Sequence, residues 1–219
     1  MEKRDYVILL LRHLEAEKNI QKRFSTIGNL EKLTCNGLNM GSELAHFIES
    51  FVRKNNYRVK EIYCANSTRA VETAKLIADK LSVKICAFDE LCSNNSGVLR
   101  GRSEDEAKEL NPTFMKQLKL FRAGIYSSYD FDKVSERENK YEFEKRVNEC
   151  LEKIIRINGE DLKIVVLHHS SLTAVVINFA RKFYNYPLNY YGRVACELGN
   201  IYLIGVNEII LCNEHASAL

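Results

Sequence analysis

Two short apolar runs in this chain each end in histidine. Tyr6 to Leu11 leads into Arg12-His13-Leu14, and Lys163 to Leu167 leads into His168-His169-Ser170-Ser171. The chain holds five histidines, so three of them at two run ends is a concentration with chemical meaning. A neutral imidazole offers a nucleophilic nitrogen, and its ordinary pKa lets it change charge near neutrality. Arg12, beside His13, supplies a planar fork of donors suited to phosphate oxygens.

The elements that must carry these residues follow from hydrophobic periodicity. Apolar runs of strand length alternate with helix-period stretches, as in a domain built from βαβ units. Tyr6 to Leu11 reads as a buried central strand, because it is continuously apolar rather than alternating. Helical spacing of Leu38, Leu44, Phe47, Ile48 and Phe51 predicts a helix over about Gly37 to Lys54. Short strands follow at Glu61 to Cys64 and Val83 to Ala87, with a helix from Ser67 to Leu81 between them. Cys92 to Arg102 is polar, carries two glycines and reads as a loop over the site. Ser103 with Glu106 three residues later has the form of a capping box opening a short helix that ends near Pro112. Residues 113–138 show helical character early and loop character around Tyr126 to Asp132. Tyr141 to Ile157 is amphipathic, Lys163 to Leu167 is a strand, and Ser171 to Phe183 is a helix. Strands at Ile201 to Ile204 and Glu208 to Leu211 complete the pattern. In doubly wound sheets ligands bind beyond the carboxyl ends of the strands, which is where both histidine clusters fall.

Composition excludes several function classes. Lys plus Arg number 32 against 29 Asp plus Glu, and the net charge of +3 is too small to argue for nucleic acid. The first apolar run has too few residues to cross a bilayer and lacks a small-residue cleavage site. Seven cysteines, odd in number and without close metal-like pairs, predict reduced thiols in a cytoplasmic protein rather than disulfides or zinc. With two prolines in 219 residues and no linker-like stretch, residues 1–219 read as one domain. No Gly-x-Gly-x-x-Gly follows the first strand, so a dinucleotide site is not expected.

The segment Arg12-His13-Leu14-Glu15-Ala16-Glu17-Lys18-Asn19 resembles the Arg-His-Gly-Glu-Thr-x-x-Asn signature of the histidine phosphatase (phosphoglycerate mutase-like) superfamily. It is more similar still to the Arg-His-Ala-Glu-Ala variant of its small phosphohistidine phosphatases. Leu33-Thr34-Cys35-Asn36-Gly37 resembles the Leu-Thr-x-x-Gly that opens that family's first long helix. Cys64 to Ala70, then Thr73-Ala74, resembles its Ser-x-x-x-Arg-Ala-x-x-Thr-Ala segment, which places a phosphate-binding arginine at Arg69. Glu90 with Gly97 to Gly101 is similar to the segment holding an acidic residue and a glycine pair. Arg146 lies in a helix like the one before the last catalytic strand. Ile164 to His168 resembles that strand with its second catalytic histidine, and Glu197 to Asn200 the closing segment. Together the matches cover about residues 5–205.

The resemblance implies a three-layer α/β/α sandwich with a mostly parallel central sheet. It implies a phosphatase that forms phosphohistidine on His13. It further implies that Arg12, Arg69 and His168 surround the phosphoryl oxygens and that Glu90 acts as acid and base. Asn19, Thr26 and His169 are further candidate substrate contacts. No metal or other cofactor is called for, since arginine and histidine carry the positive charge. The partner is a phosphorylated small molecule or phosphoprotein. Two other readings belong to the same fold: a cofactor-dependent phosphoglycerate mutase, and a catalytically impaired phosphate-binding or interaction module. Leu14 and His169 replace small residues of the family pattern and are expected to add bulk beside the phosphate pocket.

Overall fold

The computed structural model describes residues 6–26, 30–122, 133–157, 161–184, 197–205 and 209–212. Among the described residues six strands form one sheet: β1 (Tyr6–Arg12), β2 (Glu61–Ala65), β3 (Lys84–Phe88), β4 (Lys163–Leu167), β5 (Ile201–Gly205) and β6 (Ile209–Cys212). Their spatial order is β3-β2-β4-β1-β5-β6. The pairs β3–β2, β2–β4 and β4–β1 are parallel, and β5 and β6 add antiparallel at the far edge. The helices are α1 (Glu17–Ile20), α2 (Cys35–Lys54), α3 (Thr68–Leu81), α4 (Glu104–Leu110), α5 (Pro112–Arg122), α6 (Lys140–Ile155) and α7 (His169–Tyr184).

The winding explains the layers. From β1 the chain crosses through α2 to β2 and through α3 to β3, always in one direction along the sheet. It then returns through α6 to β4, which inserts between β2 and β1. Right-handed crossovers with opposite travel place their helices on opposite faces, so α2 and α3 pack together on one side and α6, with α7 beside it, on the other. Strands covered on both faces are apolar throughout. Every residue of β4 is buried, as are Ile8 to Leu11 of β1. Lys163 is tolerated at the start of β4 because its Nζ donates to the Ile157 carbonyl at 2.6 Å.

Local sequence sets most element ends. Thr34 caps α2 by accepting from the Gly37 N–H at 3.0 Å. The capping box before α4 is present in full: Ser103 Oγ accepts from Glu106 N–H at 3.2 Å, and Ser103 N–H donates to Glu106 Oε2 at 2.6 Å. That helix ends at Leu110, and Pro112 begins α5 rather than closing α4, as suits a residue that needs no amide partner in a first turn. The loop expected over Tyr126 to Asp132 lies outside the described residues. Leu38 is 46% exposed, although its spacing places it with the core residues of α2. The buried stripe runs through Gly37, Gly41, Leu44, Ala45, Ile48, Phe51 and Val52 instead, so small residues took part of the face that periodicity assigned to a leucine. Among the described residues no helix is long and apolar enough to cross a membrane.

Two glycines of α2 carry different constraints. A Cβ on Gly37 would lie 2.2 Å from the Glu15 backbone oxygen, whereas one on Gly41 would meet the flexible ends of Leu76 and Leu14. Alanine gains about 1 kcal/mol over glycine in a helix, which can offset side-chain repacking but not a backbone collision. Gly37→Ala is therefore expected to cost about 2 kcal/mol or more and Gly41→Ala at least about 1 kcal/mol less. Urea midpoints of the two variants check the ranking.

Candidate active site

Pairing of β1 with β4 brings the two histidine clusters together. Arg12 sits opposite Leu167 in the parallel register, and the His13 N–H donates to the Leu167 carbonyl at 2.9 Å. The residues that follow the two strand ends are consequently side by side. The His13 and His168 rings lie 5.1 Å apart between centroids, tilted by 67°. Both side chains are buried.

The third contributor comes from β2, also parallel to β4. Its carboxyl end turns through Asn66 and Ser67 into α3, whose second residue is Arg69. The Arg69 side chain has no solvent exposure, and its guanidinium joins the cluster. Nε donates to His13 Nε2 at 3.2 Å. Nη1 donates to Glu31 Oε2 at 2.8 Å, and Nη2 reaches Ser25 Oγ at 3.1 Å and His168 Nδ1 at 3.3 Å.

These contacts fix the tautomers, because a carbonyl only accepts and a guanidinium only donates. His13 Nδ1 lies 2.8 Å from the Leu14 carbonyl and so carries the proton, leaving the Nε2 lone pair toward Arg69. His168 Nδ1 accepts from Arg69, so its Nε2–H donates to Ser67 Oγ at 3.2 Å. Ser67 is the N-cap residue of α3 yet makes no capping bond. Its hydroxyl serves His168 instead.

Burial pushes the pKa of both histidines well below the ordinary value, and the positive charge of Arg69 adds to the effect. The free site thus presents two neutral imidazoles beside fixed cations. Arg12, half-buried, is held through its backbone N–H, which donates to the Asn200 carbonyl at 3.3 Å. Lys18 Nζ donates to Ser25 Oγ at 2.7 Å. Among the described residues no three His, Cys, Asp or Glu side chains are grouped so as to hold a metal ion.

The other sequence candidates occupy varied places. Glu90 is exposed and lines a cavity of about 760 Å³ together with Ser25, Thr26, Arg100 and Arg137. No hydrogen bond among the described residues joins it to the histidine cluster. Its carbonyl is clamped by Arg146, which also takes the Cys92 and Ser93 carbonyls and pairs through both arms with Glu138. Asn19 Oδ1 accepts from the Ala16 N–H at 3.0 Å and so closes the turn into α1. The Thr26 N–H donates to Glu31 Oε1 at 2.7 Å. His169 begins α7, half-buried, and its carbonyl accepts from Thr173 Oγ1.

Leu14 departs from expectation. Its side chain is buried in the core, with its methyls against Gly41 and Gly199. Its bulk fills space left by two missing Cβ atoms instead of narrowing the phosphate pocket. Ser25, Glu31 and Ser67 were missed by sequence reasoning. Ser67 had a signal in its place before Arg69, whereas Glu31, in a polar loop, had none.

The profile of the histidine phosphatase superfamily (branch 1) matches residues 8–208. The chain belongs to that superfamily. No curated protein matches it by sequence. Among solved structures it resembles Bacillus stearothermophilus YhfR at TM-score 0.73 and 20% identity, over 93% of this chain and 94% of that one. The α-ribazole phosphatase of Shigella flexneri aligns at TM-score 0.70 and 15% identity, over 94% of each chain. A phosphoserine phosphatase variant of Entamoeba histolytica, solved with phosphoserine, aligns at 0.62 and 18%, over 93% of each. At such identities the likeness is one of fold. This superfamily member and its structural neighbours share the phosphoglycerate mutase-like α/β architecture expected from the sequence.

Burial of the two neutral histidines links stability to pH. The unfolded chain protonates them around 6.5 while the folded chain does so only at lower pH. Stability from this source is complete above 6.5 and declines as pH falls below it, with a slope of up to about 1.4 kcal/mol per pH unit for each histidine. Thermal midpoints between pH 7.5 and 5 should fall accordingly, and a His13→Asn/His168→Asn double variant should show a flatter dependence.

Proposed function

We propose that this superfamily member is a metal-independent phosphatase that hydrolyses a phosphomonoester through a phosphohistidine on His13. One observation carries the proposal: Nδ1 of His13 is locked in its protonated form by Leu14, so the Nε2 lone pair points at the cationic centre of the site. A dianionic phosphoryl group is drawn to that centre, and Nε2 is the nucleophile waiting there.

In the first step His13 Nε2 forms a bond to phosphorus while the bond to the leaving oxygen breaks. Arg69 must release its hydrogen bond to Nε2 as this happens, and its guanidinium then faces the phosphoryl oxygens with Arg12 and His168. The developing charge on those oxygens is met by the guanidinium groups of Arg69 and Arg12, and by the Nε2–H of His168 once it turns from Ser67. The amino end of α3, fourteen residues long, points its dipole into the same space. Glu90 on the cavity wall gives a proton to the leaving oxygen. Its carboxylate then takes a proton from water as that water attacks phosphorus, and the P–N bond breaks to return His13 and phosphate.

The cavity beside the cluster is lined chiefly by polar and charged side chains, which suits the polar remainder of a phosphorylated small molecule. Relatives of the same fold include phosphatases for α-ribazole phosphate and phosphoserine. A phosphorylated metabolite of that general kind is the substrate class of this reading.

Hydrolysis of p-nitrophenyl phosphate in EDTA is expected for the wild type. His13→Ala should lower it by at least about a thousandfold with an unchanged circular dichroism spectrum. Turnover that survives in the folded variant sinks the phosphohistidine route.

A further inference from the structure

Four of the five N–H donors of Arg69 meet acceptors in the protein itself, among the described residues. Its four acceptors are His13, His168, Ser25 and Glu31. Three of these are neutral, and Glu31 alone carries the charge that a phosphate ligand also carries. Its Oε2 lies 2.8 Å from Nη1, its Oε1 takes the Thr26 N–H at 2.7 Å, and its side chain is only 11% exposed. Burial pushes the Glu31 pKa up, but backbone N–H bonds, from Thr26 first, together with the Thr26 hydroxyl and Arg69 outweigh burial and hold it below the usual range. The carboxylate is therefore an anion bound in the phosphate site by charge-assisted hydrogen bonds.

The geometry points to Glu31 as a built-in competitor for phosphate. Its carboxylate occupies the Nη1 donor of Arg69 that a phosphoryl oxygen takes, and ligand binding exchanges one anion for the other. This inference rests on the phosphate-binding reading of the site. A carboxylate oxygen and a phosphoryl oxygen ask the same thing of a guanidinium, a short charge-assisted bond in the plane of the fork. Both cannot hold the same Nη1 hydrogen, and two anions a few ångströms apart in a buried site repel strongly. A phosphate dianion wins the exchange because it brings two charges and can engage Arg12 as well. A ligand carboxylate gains nothing over Glu31. The residue thereby sets a threshold: it weakens every anion equally by the loss of its own pair with Arg69, and only a phosphoryl group recovers the loss elsewhere.

Glu31 differs in this from a residue that only orients Arg69, and the two roles have opposite signs. Glu31→Gln keeps the shape and an acceptor oxygen but removes the charge. Titration calorimetry of the full chain with inorganic phosphate should show binding about tenfold tighter for Glu31→Gln than for wild type. Glu31→Asp, which keeps the charge, should stay within about threefold of wild type. Binding by Glu31→Gln that is equal to or weaker than wild type overturns the proposal, as does its failure to bind phosphate at all. Carbon NMR of the wild type guards against a variant that does not fold. The Glu31 carboxyl resonance should shift on saturation with phosphate, and a resonance that stays in place overturns the exchange. Neither readout needs turnover, so failure of the phosphatase reading appears separately, as a protein that binds phosphate without hydrolysing p-nitrophenyl phosphate.

Discussion

A guanidinium that keeps its charge at any ordinary pH is buried without solvent exposure at the centre of this protein. Burying such a group is costly unless its donors are met and its charge is balanced. Arg69 meets that condition through partners drawn from three other parts of the chain: His13 after β1, Ser25 and Glu31 from the segment beyond α1, and His168 after β4. Each of those segments must arrive for the arginine to be tolerated. The same contacts then dictate the protonation of both histidines, the loss of the Ser67 cap and the conformation of Glu31.

Parallel pairing makes the convergence possible. Because β2, β4 and β1 run side by side in one direction, their carboxyl ends open onto one edge of the sheet, and the crossover direction reverses there. The register of β1 on β4 decides which residues face each other. A shift by one residue would point each side chain to the other face of the sheet. Continuous apolar runs covered on both faces do not specify register by alternation, so helix packing and the bonds at the strand ends must do it. The His13 amide on the Leu167 carbonyl is one such bond.

The cavity beside the cluster is built on different principles. Its walls are polar loops held by arginine, with Arg146 taking the carbonyls of Glu90, Cys92 and Ser93 while it pairs with Glu138. Gly97 lets the next loop turn against residues 135–137, since its φ is +57° and a Cβ there would collide with the Ser135 carbonyl. A buried charged centre and a loop-built cavity wall thus sit side by side.

Much of this was legible in the amino-acid order. Strands, helices and the capping box follow from periodicity and local hydrogen-bonding groups, which are short-range properties. His13 and His168 were legible as the ends of two apolar runs, and the ends of parallel strands are where sites form, whereas Arg69 was legible only through the resemblance of its segment to the superfamily pattern. Other features were decided only by tertiary structure. Leu14 was expected beside the phosphate pocket, but the space opposite Gly41 and Gly199, from two distant segments, took its side chain into the core. Leu38 kept helical spacing yet stayed exposed, because glycines at 37 and 41 let α2 approach closely on another line. Glu31 gave no sign in sequence, since nothing in a polar loop tells a solvated carboxylate from one aimed at a buried arginine. Local order fixes what a segment can become. Which side chain meets a buried charge depends on segments far apart in the chain and is settled only when they pack.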